Sequence, residues 1–229
     1  MVKPPAARPD AAPTPGVAFA PPPVLHITTT TWPRAAILHR VHHLDYGAVQ
    51  FNPGPRGNAR FSPIADAAGR AIHTLYGGSS FACAAMESVF HDVPFGAGFK
   101  TYDKNKLMGQ GHSQFSAARD LLLADLGSKA LRKLGVPRNC LIDTEKDQYP
   151  VTRQWAVAIH AGFPQVQGLC WISRQDDSAR AVVLFGDRID PGVLAPSAPT
   201  RSLVGDPAAY GELLALAEQI GVDIVPGRV

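Results

Sequence analysis

The sequence predicts an α+β domain with a mixed β-sheet flanked by helices, and three observations carry that reading. Segments rich in β-branched and aromatic residues stand both before and after helix-period segments, so strands and helices are interspersed. Residues 168–173 and 179–185 are two such segments separated only by the polar run Arg174-Gln175-Asp176-Asp177-Ser178, as in an antiparallel hairpin. Residues 151–161 place Trp155, Ala158 and Ile159 at helical spacing with Gly162 where the helix would end. With 229 residues, 45% of them hydrophobic, the chain can bury one core, or two small ones at most.

The elements follow in chain order. Residues 1–23 hold eight of the 21 prolines and six alanines. Each proline fixes φ and removes a donor, so this stretch is expected to be a disordered leader with order beginning near Val24. It lacks the apolar h-region of a secretory signal. Residues 32–38 read as a short helical or extended lead-in and 37–42 as a strand. Residues 43–62, with Asn52-Pro53-Gly54-Pro55-Arg56-Gly57-Asn58 among them, form an irregular stretch long enough to suggest function. A strand is expected over 71–76, broken by Gly77-Gly78-Ser79-Ser80, whose last serines offer an N-cap for a helix over 81–91. Residues 119–126 fit a buried strand better than a helix, and a helix follows from Ser128. Beyond the hairpin, residues 206–220 carry Leu213, Leu216, Ala217 and Ile220 at i, i+3, i+4 and i+7 after an Asp-Pro start. That amphipathic helix needs a partner for its apolar face, in this chain or another. The organisation is therefore a leader over 1–23, a catalytic-sized domain over 24–190, and a C-terminal linker and helix over 191–229.

Composition removes several classes. No apolar run reaches the roughly 18–20 residues of a membrane helix. A net charge of +3 does not suit a surface that coats nucleic acid, so no direct nucleic-acid role is expected. Cys83, Cys140 and Cys170 are odd in number and far apart, which argues against a disulfide framework or a structural zinc site and fits a cytoplasmic setting. There is no Gly-x-x-x-x-Gly-Lys-Ser/Thr loop and no Gly-x-Ser-x-Gly elbow; Gly109-Gln110-Gly111 lacks a third glycine and a preceding strand. His39, His42, His43 and Asp45 are conceivable metal ligands, but adjacent histidines on a strand point to opposite faces, and ordinary polar or packed histidines are favoured. Glu87 and His91, four apart, read on spacing alone as a surface ion pair.

The context of five islands changes that balance: Arg40 closing a strand; Arg60 in Asn58-Ala59-Arg60-Phe61-Ser62-Pro63; Tyr76 before Gly-Gly-Ser-Ser; Glu87 on the next helix; and Ser173 ending Gly168-Leu169-Cys170-Trp171-Ile172-Ser173-Arg174. In this order they resemble the RES domain family, named for its Arg, Glu and Ser. The resemblance spans about residues 37–187 and takes in Thr152-Arg153-x-x-Ala156 and Val182-Val183-Leu184-Phe185. Two departures stand out: Val41 follows the first arginine where many members have an aromatic, and Ala59 precedes the second where glycine is common.

The resemblance implies an NAD-consuming toxin of a bacterial toxin–antitoxin module, on a core similar to that of ADP-ribosyltransferases. NAD would be a consumed substrate, with no metal needed. Arg40 and Arg60 would hold its phosphates and ribose, since a guanidinium fork matches phosphate oxygens and can replace a glycine loop. Tyr76 would pack on the nicotinamide side, Glu87 would act at the reacting ribose, and Ser173 would orient substrate. A carboxylate suits a reaction that builds oxocarbenium character at C1′. Protein, water or phosphate could accept the ADP-ribose. The implied partner is a helix-turn-helix antitoxin that blocks the pocket in a hetero-oligomer, and the face of helix 206–220 offers a place for a second chain. The alternatives are a non-catalytic module that binds nucleotide or antitoxin, and a metal-dependent hydrolase using His42, His43 and Asp45.

Overall fold

The computed structural model describes residues 19–227. Its centre is a mixed sheet of nine strands. Along the sheet the order is β1 (Thr28–Trp32), β8 (Leu121–Asp125), β9 (Gly168–Ile172), β10 (Arg180–Phe185), β5 (Thr74–Gly78), β2 (Leu38–His43), β7 (Gln110–Ala117) and β11 (Leu194–Pro196), with β12 (Arg201–Ser202) also on β7. All neighbours are antiparallel except β8 and β9, which run parallel. A parallel pair needs a long crossover. Here it is helical: α2 (Ser128–Leu134), α3 (Arg138–Leu141) and α4 (Tyr149–Gly162). Two small pairs complete the fold, β3 (Ile64–Ala65) with β4 (Ala71–Ile72), and β6 (Lys100–Asp103) in parallel with β13 (Val222–Val225).

Alternation along the strands sends Leu169, Trp171, Ala181, Val183 and Phe185 to one face and Cys170, Val182 and Leu184 to the other. The first face is covered by the α2–α4 crossover, through Leu131, Leu141, Trp155 and Ile159, and by α1 (Phe81–Met86). The second is covered by loops: Val49 and Phe51 from the irregular stretch, with Ile189 and Val193, pack against Leu38, Leu75 and Phe115. That stretch thus covers part of the second face of the sheet.

The hairpin, the strand in 119–126, the helix from Ser128 and the helix around 151–161 form as the pattern predicts. Other elements differ. The strand over 71–76 is interrupted at His73 and then runs through Gly77 and Gly78. Glycine is required at Gly78, where a Cβ would lie 2.8 Å from Cys83 Sγ. Ser80 does cap α1, its Oγ accepting from Cys83 N–H at 3.0 Å, but the helix stops at Met86 instead of His91. Ser88 Oγ turns back to Ala84 O, and Phe90 N–H donates to Ala85 O at 3.0 Å, so the chain bends to bury Phe90. Glu87 is therefore the C-cap residue, at the open end of the helix.

Of the leader, residues 1–18 lie outside the described residues. Phe19 packs edge-on against Trp155 at 5.7 Å between centroids, and its carbonyl accepts from Trp155 Nε1. At the other end, α5 (Pro207–Gln219) is capped by Asp206, whose side chain accepts from Ala209 N–H at 2.9 Å. Its apolar face is already covered: Leu213, Leu216 and Ala217 are buried with Ala85, Phe90, Leu107, Leu203 and Val222. This corrects the expectation that a second chain could dock there. Among the described residues no helix is long and apolar enough to cross a membrane.

Candidate active site

On the face that carries α1, β2 and β5 are paired only at His39 and Gly78 and then part, and a cleft of about 350 Å³ opens beside them. His39, Val41, Tyr76, Trp171 and Ala181 contribute from the sheet, and Ala84, Glu87 and Ser88 from the end of α1. Arg60 comes from the irregular stretch, Tyr149 from the start of α4, and His91, Asp92 and Lys146 from the rim. A concave, mostly apolar site with a few converging polar groups is what a small-molecule ligand requires.

Four of the five residues singled out from sequence line this cleft: Arg40, Arg60, Tyr76 and Glu87. Arg60 is 4% exposed, lies over the Tyr149 ring at 5.4 Å, and has Nε and Nη2 buried without a hydrogen-bond partner. Its backbone is pinned from α4, Thr152 Oγ1 donating to Arg60 O. A buried guanidinium with unmet donors is costly unless something anionic completes it. Glu87 Oε1 accepts a 2.6 Å hydrogen bond from Ser173 Oγ. Tyr76 Oη accepts from Phe61 N–H at 3.1 Å, its ring stands edge-on to Trp171, and burial pushes its pKa up to about 12.

Of the five, Ser173 and Arg40 are engaged within the protein itself. Ser173 is fully buried and outside the cleft lining; besides donating to Glu87 it accepts from the backbone N–H of Gln175 and Asp176, each at 3.0 Å. It positions Glu87 from behind. The end of its strand is held in turn by Arg138 Nη2, which donates to Ile172 O at 3.1 Å. Arg40 turns its Nη1 to the carbonyls of Gly47, Ala48 and Gln50 at 3.2, 3.1 and 2.8 Å, fastening the irregular stretch to β2, and burial lowers its pKa to about 10.

The rim holds His91 together with Asp92 and Lys146, which sequence reasoning passed over. His91 is not an ion-pair partner of Glu87, because α1 ends before the four-residue spacing can act. Its Nδ1 bonds Asp92 Oδ1 at 2.7 Å and its Nε2 bonds Tyr149 Oη at 3.3 Å, while Lys146 Nζ donates to Asp92 Oδ2 at 2.6 Å. Lys146 and His91 together hold the Asp92 carboxyl below its usual range. Tyr149 carried a signal in the Tyr-Pro helix start; Trp171 carried none beyond β propensity. Cys83, under Glu87, has its thiol pushed up to about 12 by burial first and by the Glu87 charge second, so it is no thiolate nucleophile.

The histidines proposed as metal ligands are engaged elsewhere. His42 Nε2 meets Ser113 Oγ at 2.7 Å on the far face of β2, and His43 pairs with Asp45 at 3.1 Å in solvent. Among the described residues no group of three or more His, Cys, Asp or Glu is arranged around a metal position.

A family model for the RES domain matches residues 37–206, about three quarters of the chain. The chain belongs to the RES domain family. Membership gives a coarse functional reading, an NAD-acting enzyme of the toxin–antitoxin kind. The RES match begins just before β2 and ends at the α5 cap, so it contains every residue of the cleft. A comparison with curated proteins finds no match.

Proposed function

We propose that this RES domain binds NAD in the cleft, breaks the bond between nicotinamide and C1′ of the ribose, and transfers ADP-ribose to an acceptor. The observation that carries the proposal is the Arg60 guanidinium, which lines the cleft beside the Tyr149 ring with Nε and Nη2 buried and unpaired, an uncompensated cation that a diphosphate in the cleft would balance. Glu87, in the same cleft, supplies the carboxylate. As nicotinamide leaves with the bonding electron pair, C1′ becomes electron-poor, and a carboxylate fixed beside it is worth more in the transition state than in the ground state. Ser173 keeps that carboxylate from rotating. The acceptor oxygen then bonds C1′ and gives up its proton. Tyr76, backed by Trp171, gives the cleft an aromatic wall for the departing ring. Arg40 serves by holding the 47–50 loop, and a helix-turn-helix antitoxin covering the cleft mouth would silence the enzyme.

The test is to incubate the protein with adenylate-labelled NAD, alone and with lysate, and to follow nicotinamide release and label on protein. Release without labelled protein identifies hydrolysis or phosphorolysis; a discrete labelled band identifies a protein acceptor. Release unchanged in Glu87→Gln refutes the role of Glu87, and no release under any condition refutes the enzyme in favour of a binding module.

A further inference from the structure

His39 stands in the wall of the cleft, one residue before Arg40, and begins a chain of four side chains that ends on α5. Glu212 Oε1 and Oε2 accept from Arg201 Nη1 and Nη2 at 2.7 and 3.1 Å. Arg201 Nη2 also lies 2.9 Å from His112 Nδ1, and His112 Nε2 lies 3.0 Å from His39 Nδ1. The two imidazole planes are 9° apart with centroids 5.1 Å apart. With the nitrogens that close, the rings meet edge to edge through one N–H···N bond instead of lying face over face.

Proton positions follow from which groups can donate. A guanidinium has donors and no acceptor, so His112 Nδ1 must accept, and the proton of a neutral His112 sits on Nε2. That proton points at His39 Nδ1, which must then accept as well. The proton of His39 is left on Nε2, for which the described residues supply no hydrogen bond. Charging either ring would break the relay. The surroundings oppose charging too: burial is the main cause of the lowered pKa of both rings, taking His112 to about 4, the Arg201 charge adds to it, and Glu212, the opposing charge, is occupied by Arg201.

The geometry points to His39 as an uncharged hydrogen-bond donor to an acceptor oxygen of NAD, with His112, Arg201 and Glu212 as positioning residues that fix its tautomer from α5. This rests on the function proposed above. The chemistry favours a neutral donor: bond cleavage builds positive charge on the ribose, so an imidazolium in the wall would oppose it, whereas a neutral imidazole can hold a substrate oxygen without that penalty.

The test has two readouts on the full chain. Long-range nitrogen–proton NMR of the histidine rings, without NAD, is expected to show His39 and His112 both carrying the proton on Nε2 and both neutral at pH 7. Arg201→Met is expected to give mixed tautomers at both rings. A His39 that carries its proton on Nδ1, or is charged at neutral pH, overturns the inference. NAD affinity is then measured calorimetrically in the Glu87→Gln background, which suppresses turnover. Loss of one neutral hydrogen bond predicts about three- to tenfold weaker binding for His39→Leu, with recovery in His39→Gln, which keeps a donor. Equal affinity for His39→Leu overturns the ligand role even if the tautomers are as assigned. NAD that binds none of these proteins refutes the proposed function, while the tautomer readout still judges the relay.

Discussion

Replacing Ser173 by Ala tests whether Glu87 is fixed from behind. The hydroxyl is fully buried, donates to Glu87 Oε1 at 2.6 Å, and accepts two backbone N–H groups at 3.0 Å. A hydrogen bond to a charged group is worth about 1.5–3 kcal/mol, and a buried donor left without its acceptor costs about 1–3 kcal/mol. Glu87 is only half-buried and the 174–178 turn is open to water, so values near the low end apply, and Ser173→Ala is expected to lose about 2–3 kcal/mol of unfolding free energy. The Glu87 share is isolated by a double-mutant cycle of Ser173→Ala and Glu87→Ala, read by urea denaturation, with an expected coupling of about 1–1.5 kcal/mol. In the NAD assay, freeing the carboxylate should lower kcat about tenfold, the equivalent of about 1.4 kcal/mol, with little change in KM. Single-mutant effects that add to within about 0.3–0.5 kcal/mol, together with unchanged kcat, would refute the positioning role.

Three further outcomes follow from the same geometry. Arg60→Met removes a buried cation whose donors are unmet, so its Tm should equal or exceed that of the parent while NAD no longer raises it; a lowered Tm with NAD binding intact would contradict this. Acid should weaken the fold through His112. Its folded pKa, about 4, lies below the unfolded value of about 6.5, so the unfolded chain takes up a proton that the native one refuses. Its contribution is therefore whole above about pH 6.5 and declines as pH falls toward 4, and urea midpoints of His112→Gln should fall less steeply across that window. Gly168→Ala should fail to give folded protein, or lose about 3 kcal/mol or more by denaturation, since a Cβ there would overlap Val183 O on the neighbouring strand.

Periodicity was a good guide wherever one face of an element is buried and the other is not. Trp155 and Ile159 on α4, and Leu213 and Leu216 on α5, show it plainly. It missed β7, because Gln110-Gly111-His112-Ser113-Gln114-Phe115-Ser116-Ala117 is mostly polar; the strand persists because it lies between β2 on one side and β11 and β12 on the other, with Ser113 and His112 satisfied by side-chain partners. It missed β1 as well, where four threonines read as neither core nor turn until Thr28–Trp32 meet Leu121–Asp125. Helix length beyond Met86 was overread because the pull of Phe90 into the core at Ala85 and Leu213 is a long-range event. At the site, Arg60, Tyr76 and Glu87 could be named from their islands, but no spacing rule reveals that Ser173 reaches Glu87 across 86 positions or that His112 meets His39 across 73.

The covering of α1 by α5 sets a practical limit on how this protein can be cut. The RES match closes at residue 206, one position before α5 begins. A fragment trimmed to that boundary would keep every residue of the cleft yet strip Leu213, Leu216, Ala217 and Val222 from Ala85, Phe90 and Leu107, leaving a greasy scar on the segment that carries Glu87. Such fragments are expected to accumulate as insoluble material, and a lack of activity from one would report a failed fold and nothing about the chemistry of the cleft.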